Sequence, residues 1–137
     1  MYTMKIKTIF WIVVVLTVLQ VFPLLLSLIS PEFKLMLLAD DFGHTPLETS
    51  VKMFEQFALV VGSMALGMVF MLIGATSFTD QAVLRRISFL FAVMWGFFAL
   101  PDLVNVLLAK PVAPLPVVLM GLVSLGLLFY GSKKGTV

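Results

Sequence analysis

Four long apolar blocks, at about 8–28, 53–75, 87–108 and 114–131, are separated by short stretches in which charge, proline and glycine collect. A helix needs about 20 mostly apolar residues to cross about 30 Å of hydrocarbon, and each block approaches or exceeds that length. The pattern predicts an all-α polytopic membrane protein, an antiparallel bundle of four transmembrane helices forming one domain over 1–137. Gln20 and Pro23 interrupt the first block; Pro101, Asp102 and Asn105 interrupt the third; the fourth is short and punctuated by glycine. Lys5 and Lys7 precede the first block, but its apolar run is longer than a signal h-region and no small-x-small cleavage site follows. It reads as a retained anchor.

Local signals extend these blocks to helices at about 8–28, 46–75, 80–108 and 114–131. Thr45-Pro46-Leu47-Glu48 has the form of a capping box with proline at the first helical position. A helix from there to Gly74 would be about 43 Å long, enough to tilt or project. Residues 31–38 (PEFKLMLL) are too short to span and too apolar for a free loop, so they are expected at the interface. Thr76 to Asp80 supplies caps for the third helix, and Pro111, Pro114 and Pro116 break helicity in the third loop.

Helical spacing assigns faces. Glu55, Ala58, Gly62, Ala65, Val69 and Leu72 form one stripe on the second helix, and the small-xxx-small pairs Ala58/Gly62 and Ser63/Gly67 would let backbones approach closely inside the bundle. On the third helix Ala92, Trp95, Gly96, Ala99 and Asp102 share an arc of roughly 120°. The predicted packing residues are therefore Ala58, Gly62, Ser63, Gly67, Ala92 and Gly96.

Composition strengthens the membrane assignment: 61% apolar, 12% charged and a mean hydropathy of +1.15 lie far from the soluble norm of about 45–50% and about 25%. The position of charge matters more than its net value of +2. Of nine basic residues, Lys5, Lys7, Arg85, Arg86, Lys133 and Lys134 fall in the N-terminal segment, second loop and C-terminal segment, leaving Lys34, Lys52 and Lys110 elsewhere. The positive-inside rule makes those three segments cytoplasmic, and Tyr2, Trp11 and Tyr130 sit near the same boundary. The expected location is a bacterial inner membrane with both termini inside. The absence of cysteine removes disulfides and thiolate metal sites.

Counting depth at about 1.5 Å per residue places Gln20 about 20 Å beyond Lys7 and Asp102 about 24 Å beyond Arg86, both in the outer half. Intramembrane ionisable groups are costly and commonly mark internal polar sites. Gln20, Glu55, Gln56, Asp102 and Asn105 are thus candidates for a ligand-binding vestibule open to the outside. The plainer alternative pairs Glu55 with Lys52 and leaves Asp102 bonded to Asn105 or to helix ends. Met64, Met68 and Met71 read as flexible packing. His44 beside Asp40 and Asp41 is a weak metal candidate, and no metal site is expected. No GxSxG, HExxH, P-loop or nucleotide fingerprint is present, so no catalytic residue is assigned, no cofactor is expected and nucleic acid is not a partner.

The basic N-terminal segment, the first helix closing on Pro31-Glu32, the small-residue helix ending at Gly74 and Arg85-Arg86 opening the third resemble the layout of the DoxX-like group of small four-helix bacterial membrane proteins. That resemblance implies the four-helix fold and an association, in some members, with quinone-linked redox systems; it carries over no site residue. Three functions are weighed. The first is a non-enzymatic accessory or assembly subunit whose partners are lipids and another membrane protein or a second copy. The second is a small-ligand, lipid or quinone-binding bundle, or an enzyme built on one, using the vestibule. A small proton-coupled exporter ranks third because the first helix has no carboxylate. Membrane glutathione enzymes fit poorly because Arg-rich substrate loops are missing.

Overall fold

The computed structural model describes residues 3–109 and 113–137, excluding the side chains of Asp40 and Asp41. The expected Tyr2 belt position, Lys110 and the Pro111 break lie outside the described residues. The described chain is all-α: α1 (Ile6–Ile29), α2 (Pro31–Phe42), α3 (Glu48–Ala75), α4 (Gln81–Leu107) and α5 (Leu115–Lys134). The four long helices are long and apolar enough to cross a membrane, and only 22 to 33% of their most apolar windows is buried. The rest is outward-facing side chains such as Phe22, Phe57, Phe70 and Phe97. In water such a surface would be untenable; in lipid it is ordinary.

Terminus chemistry explains the boundaries. Ser30 caps α2, its hydroxyl accepting from Phe33 N at 3.3 Å, and Pro31 starts the helix where a missing N–H is harmless. Gly43 ends it at φ 75° while its N–H donates to Ala39 O at 3.0 Å, a left-handed position that glycine occupies without strain. The segment 31–38, expected at the interface, therefore lies within a capped helix of 12 residues. The Thr45–Pro46 start is not used. α3 begins at Glu48, whose carboxylate engages Lys52 Nζ forward at 2.7 Å. Even so, α3 is about 42 Å long at about 1.5 Å per residue. Asp80 caps α4 as expected, accepting from Ala82 N at 2.7 Å and Val83 N at 3.0 Å. Pro23 and Pro101 lie within α1 and α4 without ending them. Each removes one i to i−4 bond, which neighbouring protein makes tolerable in a membrane helix.

Contacts gather the chain into two compact units, Met1–Thr17 with Val69–Val137, and Val18–Met68. In the first, the start of α1, the end of α3, α4 and α5 pack together. Phe10, Phe91 and Trp95 form a tilted aromatic series with centroids 6.4 and 6.1 Å apart. Ser88 donates to Leu128 O at 2.7 Å, tying α4 to α5 inside this core. At the end carrying the chain termini, Lys5 pairs with Thr136 in a short parallel bridge. Ile6 N donates to Thr136 O at 2.8 Å, while Arg85 Nε and Gln81 Nε2 donate to Gly135 O at 3.0 and 3.3 Å. The second unit contains the end of α1, α2 and the first part of α3. Leu25 of α1 lies against Gly62 of α3, where an added Cβ would be 2.9 Å from Leu25 Cδ2.

The predicted stripe on α3 is the covered face: Ala58, Gly62, Ala65, Val69 and Leu72 are buried and Glu55 is half-buried. Ala92 and Trp95 are buried on α4, with Gly96, Ala99 and Asp102 half-buried beside them. Ser63 and Gly67 correct the expectation. Both are exposed, and a Cβ on Gly67 would meet nothing within 4 Å. At about 100° per residue Ser63 lies about 100° around the helix from Gly62 and Gly67 about 180° from Ala58, enough to turn both to the surface. The methionine stripe also divides, Met68 inward and Met64 and Met71 outward.

Candidate functional site

Among the five vestibule candidates, Gln20, Glu55 and Gln56 belong to the second unit, whereas Asp102 and Asn105 belong to the first. Gln20 is half-buried on α1. Gln56 is exposed, because a step of one residue rotates it away from the buried stripe that carries Glu55. Glu55 accepts a charge-assisted hydrogen bond from Lys34 Nζ. The expected Glu55–Lys52 pair is thus replaced by two others: Lys34 of α2 with Glu55, and Lys52 with Glu48 in an exposed i,i+4 arrangement. Asp102 and Asn105 are half-buried one turn apart, and among the described residues no hydrogen bond joins them. His44 is exposed after α2; its proposed neighbours' side chains lie outside the described set.

The Lys34–Glu55 pair fastens a short helix to a long one. Leu38, one turn from Lys34, is buried to 1% exposure, so α2 is held by an apolar contact and an ion pair on one side while Leu35 and Met36 face outward. Lys34's side chain is 15% exposed and that of Glu55 40%, so water screens the pair partly and a coupling of about 1 kcal/mol is expected. A double-mutant cycle of Lys34→Met and Glu55→Gln, read by thermal unfolding in detergent, should show that coupling. Lys52→Met should cost about 0.5 kcal/mol or less, as an exposed i,i+4 pair does. Strictly additive effects of Lys34→Met and Glu55→Gln would remove the tie.

Buried hydroxyls follow a different economy. Thr17 donates to Val13 O at 2.7 Å and Ser27 to Leu24 O at 2.6 Å, each within its own helix. Ser88 crosses between helices. Ser124 is fully buried with no hydrogen-bond partner among the described residues. Two clefts open in the first unit. One, of about 390 Å³, is an apolar groove between the end of α3 and α4, lined by Met71, Gly74, Phe78, Leu90 and Met94 among others. The second, of about 300 Å³, is lined by Arg85, Arg86, Phe89, Ser132 and Lys133.

Depth along a helix does not reveal this basic cleft, because on that measure the cations only orient the chain. Their helical positions carried the missing signal: Arg85-Arg86 opens one helix and Lys133 closes the next, which brings both ends together in an antiparallel pair. Comparison of the chain with family models, with curated proteins and with solved structures gives no match.

Proposed function

We propose that this chain is a small multi-pass subunit that works by binding other membrane helices, an accessory or assembly component in a bacterial inner membrane, without chemistry of its own. The observation that carries this reading is how the polar groups of the covered faces are used. Thr17, Ser27 and Ser88 donate to backbone carbonyls, and Glu55 ties α2 to α3. Ser88 and Glu55 hold helices to one another and Thr17 and Ser27 are satisfied within their own helix, while the exposed Ser63 and Gly67 leave α3 with a flat strip on which another helix can lie closely. The proposed orientation, both termini inside, rests on the six basic residues at that end against one acid, Asp80. The DoxX-like layout agrees with this architecture and adds no residue to it.

Because the chain has no cysteine, single-cysteine variants report cleanly. Gly67→Cys should cross-link to a second copy or to a co-purifying membrane protein in native membranes, whereas Gly62→Cys, facing Leu25, should not. In the same cells Val137→Cys should react with an impermeant maleimide only after the membrane is opened. Equal reactivity of positions 62 and 67, with no cross-linked species, would overturn the assembly reading; labelling of position 137 in intact cells would overturn the orientation. A ligand site is the second reading, favoured by Asp102, a carboxylate inside α4 with no ion pair among the described residues. Loss of a co-purifying small ligand in Asp102→Asn, with the fold intact, would favour that second reading.

A further inference from the structure

We infer that the cleft formed by Arg85, Arg86, Phe89, Ser132 and Lys133 binds the phosphate-bearing headgroup of an anionic phospholipid. The cleft, about 300 Å³, lies between the first turns of α4 and the last turn of α5, and its lining combines three cations with no acid. The nearest acid in sequence is Asp80, whose carboxylate is committed to capping α4 through Ala82 N and Val83 N. Like charges held around one cleft repel each other, and an anion is the partner that relieves them.

The cations have different preparation. Arg85 is half-buried and its Nε is fixed on Gly135 O at 3.0 Å, so its guanidinium is held in place with its terminal nitrogens still available as donors. Lys133 lies 5.8 Å above the Phe129 ring, which limits its range. Arg86 is exposed and supplies a planar donor fork suited to phosphate oxygens. Ser132 contributes a hydroxyl already donating to Phe129 O at 2.7 Å, leaving it able to accept.

A lipid is favoured over a soluble phosphate by what adjoins the charges. Phe89 and Phe129 are 45% and 52% exposed on the same two helices, and both helices continue from here as apolar spans. A headgroup between the cations would place its acyl chains along that surface. Basic pockets between membrane helices at one interface are a recurrent way of holding acidic lipids.

The test uses the full chain in detergent, titrated with phosphatidylglycerol, phosphatidylcholine or inorganic phosphate, with bound lipid counted by native mass spectrometry. Phosphatidylglycerol should be retained in preference to phosphatidylcholine. At about 1 kcal/mol per cation, Arg86→Gln and Lys133→Gln should each weaken phosphatidylglycerol binding about five-fold, and together about twenty-five-fold. Lys134→Gln removes the same charge from the neighbouring exposed position outside the cleft and should change binding about two-fold at most. Arg86 and Lys133 are chosen because neither holds the fold as Arg85 does; unchanged thermal unfolding of these variants confirms that the loss is one of binding. Equal retention of the two lipids would overturn the inference, as would an equal loss in Lys134→Gln, which would mark a diffuse surface charge. Displacement of the lipid by millimolar inorganic phosphate would assign the cleft to a soluble anion and overturn the choice of lipid.

Discussion

Replacing Gly131 with leucine should destabilise the first unit more than any comparable substitution on its outer surface. Gly131 is buried in α5 where α1 and α4 meet it. A Cβ there would stand 2.7 Å from Ser88 Oγ and 3.1 Å from Ile9 Cδ1, both inside ordinary contact distance. Ser88 cannot turn aside freely, because its hydroxyl is committed to Leu128 O at 2.7 Å. Overpacking of a close-packed interior costs about 1–3 kcal/mol and the displaced hydrogen bond about 1 more, so Gly131→Leu should lose about 2–4 kcal/mol. Gly131→Ala should show a smaller loss that Ser88→Ala, introduced alongside it, partly recovers by removing the nearer atom. Gly126→Leu, on the same helix with nothing within 4 Å, should be nearly neutral. Thermal unfolding in one detergent ranks the four variants; a Gly131→Leu curve matching that of Gly126→Leu would refute the close crossing.

The sequence points to other glycines for this role, and the reason is geometric. Gly62 and Gly96 stand on predicted inner faces, and both faces are covered as expected. Periodicity, however, gives direction around a helix, whereas the distance to the next helix depends on which side chain stands opposite. At Gly62 that is the movable tip of Leu25, 2.9 Å from a Cβ; at Gly96 it is Leu125 at an ordinary 3.8 Å. Gly131 meets a hydroxyl held by its own hydrogen bond, which makes the approach unforgiving. In sequence it was merely the end of a short apolar block.

The four spans were legible because lipid demands one property, continuous apolarity over a fixed length, and the chain states it directly. The faces of α3 were legible for the same reason that Ala58 to Leu72 recur on one stripe. Residues 31–38 read from sequence only as an interfacial segment, although Ser30, Pro31 and Gly43 bracket a helix of 12 residues, Pro31–Phe42. The Thr45–Pro46 signal was read too strongly: a capping box needs Glu48 to reach backward, and Lys52 draws that carboxylate forward. At the candidate site, counting along the helix identified half-buried polar residues but could not choose their partners. Lys52 is nearer to Glu55 in sequence, yet the partner is Lys34, 21 residues away on a different helix.

The second large effect is expected at Gly135, where the tail turns beside the start of α1. A Cβ there would fall 2.3 Å from Ile6 Cγ1 and 2.6 Å from Gly131 O, with Gly131 Cα at 3.1 Å. Two of these atoms are backbone, so no rotamer change makes room. Gly135→Val must therefore detach residues 135–136. Detachment forfeits the bonds of Ile6 N to Thr136 O, Thr136 N to Met4 O and Gly135 N to Gly131 O, and those of Arg85 and Gln81 to Gly135 O. At about 1 kcal/mol net each, offset by about 1–2 kcal/mol of chain entropy recovered per freed residue, the tie should weaken by about 2 kcal/mol. Hydrogen exchange at the Ile6 amide should then quicken about thirty-fold, since about 1.4 kcal/mol corresponds to ten-fold. Exchange in the middle of α4 should hardly change, because the Ser88 bond and the aromatic series lie beyond the tail. Arg85→Gln removes one of two donors to Gly135 O and should quicken Ile6 exchange by less than Gly135→Val does. Unchanged Ile6 exchange in Gly135→Val would mean that the bridge between Lys5 and Thr136 does not hold the start of α1.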